Sequence, residues 1–164
     1  MPAKKKSARK PTKRVTQTKK VKRPAARHRA TRARTQPETL RLRTSFPGFT
    51  VNDIAKSVAW YQDIMGCLVV DRWERDGKLM GATLRAGTVD FYLGQDDWRK
   101  GRDRKKGEGF RLYCVTVQDI EALAATIKAR GGRLLHEPQT EPWGERDFAV
   151  EDPDGFKITI SQSR

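Results

Sequence analysis

Val51-Asn52-Asp53-Ile54 returns 66 residues further on as Val117-Gln118-Asp119-Ile120, and the same offset relates Gly66 to Gly132 with no gap. In each copy an extended apolar stretch runs into an Asp whose carboxylate can accept from the first free amides of a helix. Ile54, Val58, Tyr61 and Met65 then recur at helical spacing, as do Ile120, Leu123, Ala124 and Ile127. Gly66 closes the first helix and Gly131-Gly132 the second. Residues 67–75 read as a strand, Asp76-Gly77 as a two-residue hairpin turn and 78–85 as the return strand. Ala86-Gly87 is a further turn, and Val89–Leu93 a third strand. In the second copy Phe110–Val117 is the opening strand, and Leu134-Leu135, Arg146–Val150 and Phe156–Ile160 follow the helix. Asp152-Pro153-Asp154-Gly155 is the turn before the last strand, with Pro fixing φ and Gly tolerating a positive one. One β-α-β-β-β order occurring twice at one offset predicts two copies of one structural unit.

The chain has 164 residues, about one domain, with 35 Lys+Arg against 20 Asp+Glu. The charge is unevenly placed. Residues 1–36 hold 15 basic side chains and no acid, whereas residues 46–164 hold 18 basic and 19 acidic ones. The net +15 and the pI of 10.3 therefore describe a tail. The expected division is a disordered cationic tail over 1–44 and a domain over 45–164, with units at about 46–93 and 110–162 and a polar linker over 94–109. The tail cannot bury enough apolar area to offset its ordering entropy. Lys4, Lys5, Lys6, Arg9, Lys10, Lys13, Arg14, Lys19, Lys20, Lys22 and Arg23 are expected to hold nucleic acid non-specifically through phosphate charge. The tail carries no aromatic residue, which argues against base stacking. In composition it resembles the Lys/Ala/Pro-rich arms of histone H1-like proteins.

Other classes fall away. No apolar run approaches the roughly 18–20 residues of a membrane span. The basic N-terminus has no apolar segment after it, so it does not read as a secretory signal. Cys67 and Cys114 have no zinc-site spacing and sit in apolar contexts, as expected of buried, reduced thiols in a cytoplasmic protein, which the basic tail would associate with the nucleoid. No Ser-His-Asp set is legible, and Cys67 follows a helix end rather than preceding a helix start. The basic run Arg99–Lys106 is expected to be a solvated linker.

The paired units resemble the vicinal oxygen chelate superfamily, which unites glyoxalases, bleomycin-resistance proteins and extradiol dioxygenases. The residues that carry the resemblance are Val51 to Tyr61, Met65-Gly66, and Pro142-Trp143-Gly144-Glu145-Arg146 leading to Asp152-Pro153-Asp154-Gly155. The resemblance implies an α+β fold of two paired βαβββ modules. Each would form a half-open curved sheet, together they would enclose a pocket, and the chain would be a homodimer.

Enzymes of that superfamily typically bind a divalent metal through the first and last strands of the units, often with His, His and Glu. The first-strand ligand lies seven residues before the capping Asp, which here falls on Phe46 and Leu112. The last-strand position falls on Asp90 and Thr159. Phe and Leu have no lone pair to donate, Thr is a poor ligand, and one carboxylate does not make a site. His136 lies outside these positions and His28 lies in the tail. The expectation is a protein with no cofactor and no metal. Asp90 has a plainer reading as a solvent-facing residue on an alternating strand.

The resemblance then points to the metal-free members, which bind and sequester a ligand. A small aromatic or planar molecule suits a cleft with flat apolar faces and few polar groups. Trp60 and Tyr61 are expected in the core, while Trp73, Trp98 and Trp143 stand open between core and cleft. The pocket candidates are Phe46, Trp73, Asp90, Tyr92, Arg111, Leu112, Trp143 and Thr159. The alternative is a metal-dependent lyase, isomerase or dioxygenase of the same superfamily.

Overall fold

Asp53 and Asp119 each open a helix as their positions require: Asp53 accepts from the Lys56 amide at 3.0 Å and Asp119 from the Ala122 amide at 2.8 Å. They sit in a computed structural model that describes residues 43–163. Residues 1–42 of the expected disordered tail, with all its basic candidates, lie outside the described residues.

The first unit runs β1 (Gly48–Val51), α1 (Ile54–Ala59), β2 (Leu68–Arg75), β3 (Lys78–Ala86) and β4 (Val89–Gln95). The second runs β5 (Arg111–Thr116), α2 (Ile120–Ala129), β6 (Leu134–Thr140), β7 (Arg146–Glu151) and β8 (Lys157–Gln162). Each makes a four-stranded mixed sheet of one design. The orders are β1-β4-β3-β2 and β5-β8-β7-β6, with the first and last strands parallel and the other pairs antiparallel. This is the α+β fold of two βαβββ modules. Asp76 and Gly77 both take positive φ, 52° and 68°, which is the turn the β2–β3 hairpin needs.

Two departures from the expected elements matter. After α1 the chain widens into a π-helical turn over Trp60–Ile64 instead of continuing as an α-helix. There Tyr61 is buried, stacked on Phe49, with its hydroxyl reaching the second module. The linker is also more ordered than a solvated run. Lys106 is buried with its Nζ 2.7 Å from Asp96 Oδ2, and Arg104 reaches the same oxygen at 2.7 Å. The contact is an ion pair between two buried side chains. Trp98 lies across the ammonium, with Nζ 5.3 Å from the ring centre.

The core lies between the helices and the inner sheet faces, and it is shared. Phe49 and Leu93 from one module meet Phe148 and Ile158 from the other in one apolar cluster. The Asp152–Gly155 turn fastens the modules together. The Asn52 amide donates to Asp154 Oδ1 at 2.8 Å, and Ser57 Oγ donates to Asp154 Oδ2 at 3.1 Å. The buried Tyr61 hydroxyl donates to Asp152 Oδ2 at 3.0 Å.

Candidate ligand-binding faces

Strand alternation sorts the candidates onto the two outer sheet faces. On the first sheet, Phe91 and Leu93 turn inward, while Asp90 and Tyr92 turn outward beside Thr83 and Arg85 of β3. Trp73, on β2 at a register shift, faces the same way. Its ring stacks on Tyr92 with centroids 4.6 Å apart and planes 8° from parallel. Gly81 makes this possible, because a Cβ there would fall inside the Trp73 ring. Tyr92 in turn lies against Gly48 and Gly94, whose Cβ positions would be 3.4 and 3.3 Å from its ring. The result is a flat aromatic platform laid over glycines. Partial burial raises the Tyr92 pKa, so its hydroxyl stays protonated.

Asp90 is on this face but engaged. Arg85 grips it at 2.7 and 3.0 Å, and the paired guanidinium lowers its pKa. Phe46 precedes β1 and is exposed.

On the second sheet, the parallel register pairs Tyr113 with Thr159, and the antiparallel register pairs Thr159 with Ala149 and Ala149 with His136. These four therefore share a row on the outer face. The next row carries Val115, Ser161 and Asp147. Leu112 pairs with Ile158 and packs against the core on the opposite face. Thr159 is buried and its Oγ1 has no hydrogen-bond partner. Tyr113 donates to Glu145 Oε2 at 2.6 Å, and Trp143 Nε1 donates to the same oxygen at 3.0 Å. Trp143 itself is 64% exposed, beside a cleft of about 330 Å³ that it shares with Val115 and Ser161. Arg111 lines a separate cleft of about 590 Å³ with Lys106, Phe110 and Glu151.

The candidates are thus divided between two faces and are not gathered into one cavity of the chain. A cavity of about 800 Å³ lies elsewhere, between the β3–β4 turn, β5 and α2, lined by apolar side chains, both cysteines and the polar Gln118, Asp119 and Arg130. Cys67 and Cys114 are free thiols. Burial pushes Cys67 up to about 11 and raises Cys114, so neither is a ready nucleophile. The sequence reading also missed the grouping of His136, Glu141 and Asp147, whose ligand-type atoms lie within 4.8 Å of one another. Strands β6 and β7 carry no ligand position of the resemblance, and only the β6–β7 register brings these residues together.

The residues present do not suit the superfamily's metal positions. Phe46, Leu112 and Thr159 supply no strong donor, and Asp90 is already bidentate to Arg85. A metal does not fit that set.

The profile of one family, the Glyoxalase/Bleomycin resistance protein/Dioxygenase superfamily, matches residues 44–160. A probable lactoylglutathione lyase of Vibrio cholerae is 31% identical over 126 residues, 70% of this chain and 86% of that one. A bleomycin resistance protein of Geobacillus stearothermophilus is 31% identical over 131 residues, 72% of this chain and 95% of that one. A superfamily member from Sphaerobacter thermophilus superposes with a TM-score of 0.62 at 23% identity, covering 74% of this chain and 98% of that one. TioX from Micromonospora sp. ML1 gives 0.60 at 17%, covering 73% and 98%; both structural likenesses speak to the fold alone. The matched span takes in both modules, and on it the chain belongs to the Glyoxalase/Bleomycin resistance protein/Dioxygenase superfamily.

Proposed function

We propose that this chain binds and sequesters a small planar or aromatic molecule, with no metal at the superfamily's ligand positions. The observation that carries the reading is the donor set: Phe, Leu, Thr and one Arg-bound carboxylate stand where chelating side chains would be needed. The Trp73–Tyr92 platform supplies the flat apolar surface such a ligand stacks on. Tyr113, Trp143 and Arg111 offer an aromatic and cationic counterpart on the second module. In this reading a second copy of the chain brings the two kinds of face together, as a homodimer. Val115 and Leu68, 63% and 67% exposed, are apolar surface that such an arrangement would cover. The basic segment at 1–44 holds the domain at 45–164 near nucleic acid without sequence preference.

The competing reading, a metal-dependent lyase, draws on the relative named for lactoylglutathione lyase. The test uses the full chain, freed of metal, and a library of planar aromatic compounds followed by Trp fluorescence. Binding should persist in chelator and fall at least about tenfold in Trp73→Ala, from the lost stacking and apolar contact. Absence of binding until a metal is restored, or turnover of a glutathione hemithioacetal, would favour the lyase.

A further inference from the structure

On the outer face of the second sheet, His136 and Asp147 meet in an arrangement suited to a cation. His136 Nδ1 lies 3.1 Å from the backbone oxygen of Glu137. A carbonyl only accepts, so Nδ1 carries a proton, and Nε2 is the ring nitrogen left to meet Asp147 or a ligand. That nitrogen is 3.8 Å from Asp147 Oδ1, too far for a hydrogen bond. Asp147 is 4% exposed at its side chain, and its Oδ1 has no hydrogen-bond partner. A buried anionic oxygen without a partner is costly unless something positive stands beside it.

Glu141 adds a second carboxylate, the three ligand-type atoms lying within 4.8 Å of one another. Gln139 Nε2 orients it by donating to Oε1 at 2.8 Å. Register shifts on both sides of His136 turn the β6 edge at this point, so that an imidazole on a sheet edge looks toward β7. A first-row ion with bonds of about 2.0–2.2 Å holds neighbouring ligands roughly 3–3.5 Å apart, close to the observed His136–Asp147 gap. The Nδ1 bond to a carbonyl is the outer-shell contact that metal-ligating histidines commonly make.

We propose that His136, Glu141 and Asp147 form a binding site for a first-row divalent cation on the outer face of the second sheet, apart from the superfamily's own metal positions. One imidazole with two carboxylates suits Zn²⁺, Mn²⁺ or Fe²⁺ and disfavours soft Cu(I). Thr159 Oγ1, in the row that Ala149 and His136 share, is a second buried polar atom on this face without a partner. The site goes beyond the sequestration reading and does not depend on it.

The chain has two histidines, His28 and His136, which makes the test direct. Full-length protein, stripped of metal and labelled with ¹⁵N, is titrated with Mn²⁺ while both imidazoles are followed by NMR. The His136 ring should broaden at substoichiometric Mn²⁺, well before His28. Zn²⁺ calorimetry should give one equivalent per chain. Asp147→Asn and Glu141→Gln should each weaken Zn²⁺ at least about tenfold, a loss that even outer-shell changes produce. Glu141 is partly exposed, so its variant tests the site without disturbing the core. Equal broadening of both histidines, or unchanged affinity in both variants, would overturn the site. So would loss of Zn²⁺ binding in Cys67→Ser or Cys114→Ser alone. A His136 ring unaffected by Mn²⁺ and protonated beside Asp147 would overturn it too, because a proton would then satisfy the pair. None of these outcomes bears on planar-ligand binding, which is read by fluorescence.

Discussion

Trp73 shows how one missing side chain shapes a surface. Its indole lies flat on β3 because Gly81 leaves the space, and the flat ring is then available to stack on Tyr92. Gly81→Ala should therefore lift Trp73 off the sheet. The expected cost is about 1–3 kcal/mol in urea denaturation, typical of overpacking. A shift in Trp emission should accompany it, since Trp73 would lose its partner. Unchanged emission and stability would mean that the ring moves aside without loss, and the platform would not be held as described. Lys106 is the other residue whose role depends on place. It belongs to a basic run, yet only it goes inside, where Asp96 answers its charge. Lys106, then the Trp98 amide and Arg104, hold the Asp96 carboxyl down to about 2 against the cost of burial. Asp96→Asn should destabilise the chain by about 3 kcal/mol at pH 7 in chemical denaturation, by leaving a buried ammonium without its anion.

The Asp152–Gly155 turn is the element that ties the modules, and its acid titrates with the opposite sign. Burial pushes Asp152 up to about 6 from an ordinary 3.8, although the Phe156 and Asp154 amides and the Tyr61 hydroxyl all donate to it. Because the folded state holds this proton more tightly, the contribution to stability is full below about pH 4. It is lost as the pH rises to about 6. Asp96 works the other way, contributing above about pH 4 and losing its effect as the pH falls toward 2. An Asn at 152 keeps an acceptor for the two amides and cannot ionise. Asp152→Asn should therefore gain on the natural chain by roughly 3 kcal/mol between pH 4 and pH 7, measured as the difference in unfolding free energy at the two values. Parallel pH profiles for the two proteins would show that Asp152 does not ionise differently on folding.

At the scale of the whole molecule, the charge is divided between a basic N-terminal segment and a nearly balanced remainder. If that segment holds nucleic acid, removing residues 1–42 should abolish most DNA affinity. The full chain should also lose about 10³–10⁵ in affinity between 50 and 200 mM salt, for roughly 6–10 phosphate contacts. A flat salt response would overturn the claim, and affinity kept after the deletion would place the contact on the folded part instead. The two modules are copies in topology but not in surface. The first sheet carries an aromatic platform and an Arg–Asp pair, and the second an acidic and imidazole group beside Trp143 and Tyr113. Repetition of the fold has left each face free to take its own chemistry.

Local pattern was enough for much of this. The capping Asp residues, the helical stripes, the Asp76-Gly77 turn and the 66-residue repeat each depend on neighbours close in the chain, so the two βαβββ modules were legible from sequence. Charge segregation is compositional and was legible too, while the poor donors Phe46, Leu112 and Thr159 were legible only at positions that the family resemblance supplied. The structure alone decided which side chains face each other across strands. A one-residue change of register turns a side chain from one face to the other, and that is why Tyr113, not Leu112, shares the row of Thr159. It is also why His136 and Asp147, 11 residues apart in sequence, meet at a bulged edge. Glycine leaves no trace of the ring laid over it, and a basic run does not reveal which lysine is buried. These depend on long-range contacts, which the chain acquires only when the sheets form.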